Sequence, residues 1–385
     1  MRRSIHVTTA ALIAAALTTS VVTVAQAASG RDGGNRDRES GVVTPTIFGH
    51  RGAAGHRPEH THLGYELAAE MGADFLEPDL VPTKDGFLVD RHEPDISQTT
   101  DVANHPEFAS LKTTKTIDGV TTTGWFTTDF TLAQLQTLRA VERLPAIRQD
   151  NTLYNGLDRI PTLQDDIDQV TELSQRLHRT IGIVPEIKHS TYFRSIGLPM
   201  EDRVLDVLHA NQLDGEQPRL PTVLQSFEVG NLRYVHTRAP KLPLMQLTSA
   251  TGSPADYVAS GDKRTYADIT SAHGLKEVAR YATYLGPDKN QIVPRTATNA
   301  LGTPTSLIAD AHAAGLLVSP YTFRNENAFL PTDFQVGTNP GDYGRAIAEY
   351  DLFFRLGVDG MFSDDSDTAV LARQLWIEAG RPHQG

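Results

Sequence analysis

The sequence predicts an α/β protein built on a (β/α)8 TIM barrel, with an insertion after the third strand. From Thr46 onward, short β-branched runs alternate with longer amphipathic stretches, which is the pattern of βα units around a parallel sheet. The segment 42–385 is also long enough for one such barrel with an insertion. We therefore expect a single barrel domain over 42–385.

The elements follow one another in an order that fits this prediction. Nine runs are candidate strands, of which we expect eight in the barrel and demote 291–294; they are 46–49, 74–80, 87–92, 182–188, 222–227, 242–247, 291–294, 316–323 and 360–363. The predicted helices are 61–71, 163–178, 202–211, 273–284, 305–314, 343–356 and 368–379. Thr162, followed by Asp165, is an acidic variant of a capping box at the start of one helix.

The excess length lies mostly in residues 94–160, where Asn, Thr, Asp and Pro are frequent and no strong period persists. Connections of this length in compact domains are usually functional lids or small subdomains. We expect an excursion over one end of the barrel. Residues 248–290 are predicted to form a second, shorter excursion.

Two compositional features limit the functional classes. The chain has no cysteine, which excludes a small scaffold stapled by disulfides. Its 35 Lys and Arg stand against 47 Asp and Glu, and this balance disfavours nucleic acid and anionic membranes, whose phosphates attract basic proteins. Any phosphate chemistry here must therefore be local, with positive charge gathered in a site or supplied by a metal.

The N-terminal residues have the features of an export signal. Residues 1–27 contain two arginines, then an apolar run, then Ala25-Gln26-Ala27, which fits a signal-peptidase site. A membrane anchor is the alternative, but the run is rich in Ala and Thr and short for a span of roughly 20 apolar residues. We expect cleavage, a flexible leader over 28–41 and a secreted or periplasmic protein without stable membrane insertion. Its mature charge is near −14, from 33 basic and 47 acidic residues.

Carboxylates at the ends of two predicted strands indicate a metal site. Glu77 and Asp79 lie on one face of a strand because side chains alternate with period two, and Glu186 and Lys188 share a face in the same way. Glu77 and Asp79 taken alone could also be a solvated strand end or part of a salt bridge. Three clustered carboxylates repel unless a cation joins them. Oxygen ligands suit Ca²⁺ or Mg²⁺, whereas zinc favours His or Cys.

Two histidines follow predicted strands at the end where barrel active sites lie. His50 closes the first strand and His92 closes the third. A lone histidine is often a structural hydrogen-bonding residue, but the two together form a candidate acid/base pair near neutral pH. Arg51 adds a fork of donors that matches phosphate oxygens. The sequence has no Walker loop, nucleophile elbow or H-E-x-x-H motif.

These motifs, in this order and spacing, resemble those of the glycerophosphodiester phosphodiesterase family. The matching segments, with His92 between the second and the third, are 50–61 (HRGAAGHRPEHT), 77–79 (EPD), 185–188 (PEIK), 225–227 (QSF) and 359–364 (DGMFSD). Residues 72–85 resemble the exported bacterial branch, whose members carry a similar insertion. The resemblance implies a TIM barrel that hydrolyses glycerophosphodiesters to glycerol 3-phosphate and an alcohol.

The resemblance also implies roles for residues. It implies that His50 and His92 are the acid/base pair, and it leaves open which is the acid. The other implied roles are one divalent cation, Ca²⁺ or Mg²⁺, on Glu77, Asp79 and Glu186, and phosphate binding by Arg51 and Lys188. Three further residues are expected to line the barrel, partly in contact with substrate: Gln225, Phe227 and Phe323.

Three positions vary the family pattern and leave the head-group preference open. Glu93 stands where Asp often follows the histidine, His60 stands where many members have Asn, and 321–323 replaces a Trp-Thr step. The alternative enzyme is a barrel phospholipase of the phospholipase C or sphingomyelinase D type, which would need an exposed apolar rim such as Trp125, Phe126 and Phe130. A non-catalytic exported binding protein and a two-carboxylate glycosidase are further alternatives, and the glycosidase would leave the histidines without a task.

Overall fold

The computed structural model describes residues 35–36 and 43–380 of the chain. Its strands are, in chain order, β1 Asn35–Arg36, β2 Val43–Thr44, β3 Thr46–Gly49, β4 Phe75–Leu76, β5 Asp79–Pro82, β6 Leu88–Asp90, β7 Thr113–Ile117, β8 Val120–Gly124, β9 Gly182–Ile183, β10 Glu186–Ile187, β11 Leu224–Ser226, β12 Leu244–Thr248, β13 Tyr284–Pro287, β14 Leu317–Val318 and β15 Gly360–Ser363. Its α-helices are α1 His62–Glu70, α2 Leu132–Leu135, α3 Leu163–Arg176, α4 Ser190–Ser195, α5 Glu201–Ala210, α6 Val229–Arg238, α7 Ala255–Ser260, α8 Tyr266–Ile269, α9 Ala272–Val278, α10 Lys289–Ile292, α11 Leu307–Ala313, α12 Ala346–Leu356 and α13 Ser366–Glu378.

The parallel strands close into the predicted TIM barrel. One run of paired strands is β15-β3-β4-β9 and the other is β14-β13-β12-β11-β10-β5, so that β4 with β5, and β9 with β10, are halves of two split barrel strands. The ring closes between β14 and β15, where the Asp359 backbone N–H donates to the Val318 carbonyl at 2.8 Å. All carboxyl ends of the barrel strands therefore meet at one end of the barrel.

An apolar cluster packs beneath that end. Phe48 of β3 and Phe362 of β15 stack with ring centroids 4.5 Å apart, and Met245 and Leu247 of β12 are buried in the same cluster. Burial of such rings and aliphatic chains stabilises the barrel by roughly 1.5–3 kcal/mol for each side chain. The polar residues that follow the strands are thus held on a rigid base.

Three strand predictions need comment. Segment 87–92 is not a barrel strand, because β6 pairs antiparallel with β5 as the second arm of a hairpin. The insertion consequently lies between the second and third barrel strands. Segment 291–294 overlaps the short helix α10, so its demotion is confirmed, whereas the barrel strand β13 lies inside the predicted excursion 248–290 and was missed.

The helix predictions are confirmed in position, with ends that differ by a few residues, except that 273–284 ends early. Helix α9 stops at Val278, and residue 284 already belongs to β13. The capping box is present, because the Thr162 hydroxyl accepts from the Asp165 N–H at 3.2 Å and the Asp165 carboxylate accepts from the Thr162 N–H at 2.9 Å. Helix α6 was not predicted.

The insertion contains the β7–β8 hairpin, helix α2 and several short 3-10 turns. Its aromatic residues point inward: Phe126 and Phe130 are fully buried, and the Trp125 ring donates its N–H to the Phe108 carbonyl at 2.8 Å. The exposed apolar rim expected for an enzyme on intact lipids is therefore wrong for Trp125, Phe126 and Phe130.

The predicted signal over 1–27 lies outside the described residues. So does most of the leader 28–41, although its β1 pairs antiparallel with β2. Among the residues that the structure describes, none of the helices has the length and apolar character needed to cross a membrane.

Candidate active site

The carboxyl ends of the barrel strands surround one pocket of about 440 Å³. Both predicted histidines, all three predicted carboxylates and both predicted phosphate-binding cations line it. The lining residues used below are His50, Arg51, Glu77, Asp79, His92, Glu186, Lys188, Phe227, Tyr321, Thr322 and Arg324. The structure thus brings the predicted histidines, carboxylates and basic residues together, and it adds Tyr321, Thr322 and Arg324, which were not predicted as site residues.

Strand register brings the three carboxylates together. Glu186 on β10 is the direct neighbour of Asp79 on β5, and Glu77 lies at the break between β4 and β5. Carboxylate oxygens of Glu77, Asp79 and Glu186 lie within 4.8 Å of one another. The alternation of side chains along the strands is the cause, as predicted from the sequence.

The electrostatics of this triad fit a divalent cation. Burial, together with the negative charges of Asp79 and Glu186, raises the pKa of Glu77 well above its usual value, and burial raises the pKa of Glu186 to about 7. One oxygen of Asp79, Oδ1, is buried without a hydrogen-bond partner. Clustered, buried oxygen acceptors of this kind match a hard cation such as Ca²⁺ or Mg²⁺.

Neighbouring side chains fix the orientation of the carboxylates. Gln225 on β11 donates its amide N–H to Glu77 Oε1 at 2.6 Å. His60 lies between two acids, with Nε2 3.0 Å from Asp79 Oδ2 and Nδ1 2.6 Å from Asp90 Oδ1. Although burial opposes it, this pair of acids raises the pKa of His60 to about 9, so His60 carries a positive charge near neutral pH.

His50 is held by an acid at the end of the last strand. Its Nδ1 lies 2.5 Å from Asp364 Oδ1, and its Nε2 lies 3.3 Å from the Thr322 hydroxyl and 3.8 Å from Glu77 Oε2. Burial, helped by the charge of Arg51, lowers the pKa of His50 to about 4 despite Asp364. A neutral imidazole with Nδ1–H on the carboxylate leaves Nε2 free to accept a proton.

His92 has a similar arrangement on the other side of the pocket. Its Nδ1 lies 2.9 Å from Glu93 Oε1. Burial and the charges of Arg51 and Lys188 lower the pKa of His92 to about 3. The two histidines therefore share one chemical state, in which a carboxylate holds Nδ1 and Nε2 remains for proton transfer.

Arg51 and Lys188 bring positive charge to the same pocket. Arg51 has a left-handed backbone (φ 56°), which turns its guanidinium back so that Nη1 lies 3.0 Å from Glu59 and Nε 3.5 Å from Asp79. Lys188 Nζ lies 3.0 Å from Glu186 Oε1 and 5.7 Å from the centre of the Phe227 ring. Both cations can therefore neutralise a phosphate beside the triad.

Two predicted lining residues lie elsewhere. Gln225 is fully buried behind Glu77 and acts through it, as described above. Phe323 is fully buried against Tyr350 and Phe353, with ring centroids 5.1 and 4.9 Å away, and it does not line the pocket. Its expected substrate contact is therefore wrong, because its side chain faces the packing helix α12.

A buried ion-pair network behind His50 was missed. Asp364 Oδ2 accepts from Arg148 Nη2 at 2.6 Å and from Arg324 Nε at 2.7 Å, while Arg148 Nε also donates to Glu326 at 2.6 Å. The position of Asp364 at the end of the last strand, next to the strand of His50, was the available signal. Arg148 comes from the insertion and has no motif around it.

Most of the chain resembles known proteins in sequence and fold. The model of the glycerophosphoryl diester phosphodiesterase family matches residues 50–368. A glycerophosphodiester phosphodiesterase of Arabidopsis thaliana is 37% identical, with 83% of each chain covered, and one of Bacillus subtilis is 30% identical, covering 72% of this chain and 76% of that relative. The greater similarity to the plant protein does not support assignment to an exported bacterial branch.

Solved structures agree on the fold. A phosphodiesterase from Oleispira antarctica, in complex with the product sn-glycerol-3-phosphate, matches with a TM-score of 0.55 at 19% identity, covering 86% of this chain and 97% of that one. A structure from Silicibacter pomeroyi matches with a TM-score of 0.61 at 21% identity, covering 89% and 96%. Together with the family match, these comparisons lead to one conclusion: the chain is an enzyme of the glycerophosphoryl diester phosphodiesterase family.

Proposed function

We propose that this enzyme hydrolyses glycerophosphodiesters to glycerol 3-phosphate and an alcohol. His50 and His92 together form the acid/base pair of this proposal. The observation that carries the proposal is the presence of both imidazoles in one pocket with a carboxylate triad and two cations. The names of its relatives and the product bound to the Oleispira antarctica protein support the same substrate class.

We propose that Glu77, Asp79 and Glu186 hold one divalent cation, Ca²⁺ or Mg²⁺. Their mutual repulsion and the unpartnered Asp79 oxygen support this assignment. When bound, such a cation would neutralise charge on the non-bridging oxygens of the phosphate. Gln225 and His60 hold the ligands in the required orientation through the hydrogen bonds given above.

The two basic side chains bind the phosphate in this proposal. Arg51 offers a planar fork of donors that matches two phosphate oxygens, and Lys188 supplies a point charge beside Glu186. Carboxylates of the triad face both side chains: Asp79 lies 3.5 Å from Arg51 Nε, and Glu186 lies 3.0 Å from Lys188 Nζ. Binding a phosphodiester then exchanges carboxylate contacts for phosphate contacts.

Proton transfer takes place at the two Nε2 atoms. One histidine accepts the proton of the attacking oxygen, and the other donates a proton to the alcohol that leaves. Both imidazoles are neutral at rest, so the donor must first acquire a proton, and the carboxylate on its Nδ1 stabilises the imidazolium that forms.

We also propose export, on the evidence of residues 1–27 alone. We further propose, from the amino-acid sequence of residues 72–85, that the enzyme is of the exported bacterial type. Expression in a bacterial host, followed by mass measurement of the chain outside the cytoplasm, tests the proposal. A mature chain that begins at Ala28 supports it, and a chain that keeps residues 1–27 contradicts it.

The activity is tested with the purified mature chain and glycerophosphocholine. We expect glycerol 3-phosphate to be released, to stop after EDTA treatment, and to resume when Ca²⁺ or Mg²⁺ is returned. The Glu186→Gln variant is the matched control for the metal site, because it removes the charge of one proposed ligand at nearly constant side-chain shape. A folded parent chain that releases no glycerol 3-phosphate with either metal would contradict the proposal.

A further inference from the structure

A line of three charged side chains extends from His92 to the insertion. Beyond the His92–Glu93 contact, Glu93 Oε2 lies 3.6 Å from His189 Nε2, and His189 Nδ1 lies 2.6 Å from Asp118 Oδ2. None of Glu93, His189 and Asp118 is among the residues that line the pocket. Through Glu93 they reach the imidazole of His92, which does line the pocket.

His189 is placed for this contact by its backbone. It follows Lys188 at the end of the third barrel strand and adopts a left-handed conformation with φ 47°. For a residue other than glycine this conformation is strained and persists where the surrounding structure fixes it. Although burial opposes it, the contacts with Asp118 and Glu93 raise the pKa of His189 to about 9.

The tip of the β7–β8 hairpin supplies the last carboxylate. Ile117 pairs with Val120, and the two residues between them, Asp118 and Gly119, both have positive φ, 48° and 84°. This is the geometry of a type I′ turn, for which Asp-Gly is a preferred sequence. Lys115 ties the hairpin to the next part of the insertion, because its Nζ lies 2.7 Å from Asp129 Oδ1.

Glu93 needs such support because its side chain is 55% exposed. An exposed glutamate samples several rotamers, and each freely rotating bond that must be fixed costs entropy. A positive His189 beside its second oxygen restricts that freedom. In a neutral imidazole, a hydrogen-bond acceptor at one ring nitrogen favours the tautomer with the proton on that nitrogen. A carboxylate of Glu93 fixed at Nδ1 therefore keeps the proton of His92 on Nδ1 and leaves Nε2 without one.

We propose that Asp118 and His189 are positioning residues that hold Glu93 and thereby keep the Nε2 atom of His92 unprotonated and directed into the pocket. The insertion thus contributes to catalysis through its hairpin tip. The effect on turnover rests on the proposed function, whereas the effect on the His92 tautomer does not.

The test uses two substitutions, each of which the local backbone conformation at its position tolerates. Asp118→Gly keeps the type I′ turn and removes the carboxylate, and His189→Asn keeps a residue type that accepts positive φ while removing the imidazole. Asp214→Asn is the matched control, because Asp214 forms an exposed pair with His209 at 3.1 Å and does not line the pocket.

The primary measurement is ¹⁵N NMR of histidine-labelled protein, with the His92 signal assigned by its loss in His92→Gln. We expect Nδ1–H in the parent and in Asp214→Asn, and a mixture with Nε2–H in Asp118→Gly and His189→Asn. On glycerophosphocholine, both variants should lose about tenfold in kcat at unchanged KM. In a Glu93→Gln background, adding Asp118→Gly should cost nothing further, because the carboxylate that His189 holds is already gone.

A His92 tautomer that stays Nδ1–H in both folded variants would overturn the inference, as would losses that add fully in the Glu93→Gln background. If the parent chain shows no hydrolysis of glycerophosphodiesters, the proposed function fails, and the tautomer measurement still decides the inference. The two failures are therefore distinguishable.

Discussion

His50 and His92 have the same neutral state but different surroundings. His50 is nearly sealed and rests on Asp364, which two arginines hold from behind. His92 is 29% exposed and rests on Glu93, whose side chain is 55% exposed. An acid and a base with different tasks need such different environments, since each must favour a different protonation state during the reaction.

The Asp364→Asn variant should lose about 10²-fold to 10⁴-fold in kcat with little change in KM. Arg148 and Arg324 both donate to Oδ2, so the amide oxygen must take that position, and the amide NH2 then faces Nδ1 of His50. This contact favours the tautomer with the proton on Nε2. Steady-state kinetics on glycerophosphocholine is the measurement.

The control for that experiment is Asp367→Asn, at a half-exposed acid three residues away. A folded Asp364→Asn enzyme with more than half of the parent kcat would refute the role given to Asp364.

Much of the site could be predicted from strand alternation. It places Glu77 with Asp79, and Glu186 with Lys188, on one face each, and the structure confirms both pairs. The partner of His50 could not be predicted in this way, because Asp364 is 314 residues away and meets it only when the barrel closes. Phe323 was misassigned because alternation says which residues share a face, not which face meets the pocket.

At the scale of elements, the turn after β3 determines where the phosphate-binding residues lie. Arg51 and Gly52 both have positive φ, 56° and 86°, and a Cβ on Gly52 would lie 2.7 Å from the backbone carbon of Gly64. The loop therefore packs directly on the first turn of α1, which begins at the Thr61 cap. This close approach fixes His50 and Arg51 relative to the barrel.

The Gly52→Ala variant should lower the free energy of unfolding by about 2 kcal/mol or more, because backbone strain and a backbone collision add. Gly156→Ala is the matched control: Gly156 also has positive φ, 81°, but nothing lies within 4 Å of a Cβ there. Urea denaturation measures both. Equal losses in the two variants would show that the close packing on α1 does not matter.

The sequence missed strand β13 and misassigned segment 87–92, because local patterns do not show which strands pair. Strand β13 has the sequence Tyr284–Pro287 with Gly286 inside it, and Gly-Pro is a turn signal in a single sequence. Segment 87–92 alternates like a barrel strand, but alternation does not distinguish a parallel neighbour from the second arm of a hairpin. Strand partners depend on contacts that lie far apart in the chain.

At the scale of the whole molecule, an acidic chain concentrates its functional positive charge in one pocket. The chain has a formal charge of −12, yet Arg51, Lys188 and Arg324 all line the pocket beside the carboxylate triad. Three buried carboxylates close together destabilise the fold until a cation joins them. Metal binding should therefore be visible in the stability of the protein.

Ca²⁺ or Mg²⁺ at about 100 times its dissociation constant should raise the Tm by about 4 °C, since a ligand that binds only the native state stabilises it by about 2.7 kcal/mol at that ratio. Differential scanning calorimetry with and without EDTA measures the change. The Glu186→Gln variant should show a higher Tm than the parent without metal and a smaller rise with it. An equal rise in parent and variant would place the metal elsewhere.

The central claim is that His50 and His92 divide one proton donation and one proton removal between them, and leaving-group replacement tests it most directly. His50→Ala and His92→Ala are assayed on glycerophosphocholine and on a glycerophosphodiester of an acidic phenol, which departs as its anion without a proton. Both variants should lose about 10²-fold to 10⁴-fold on glycerophosphocholine. The account predicts that the phenol restores turnover in one variant, which identifies the acid, and not in the other. Turnover restored in both variants, or in neither, would contradict it.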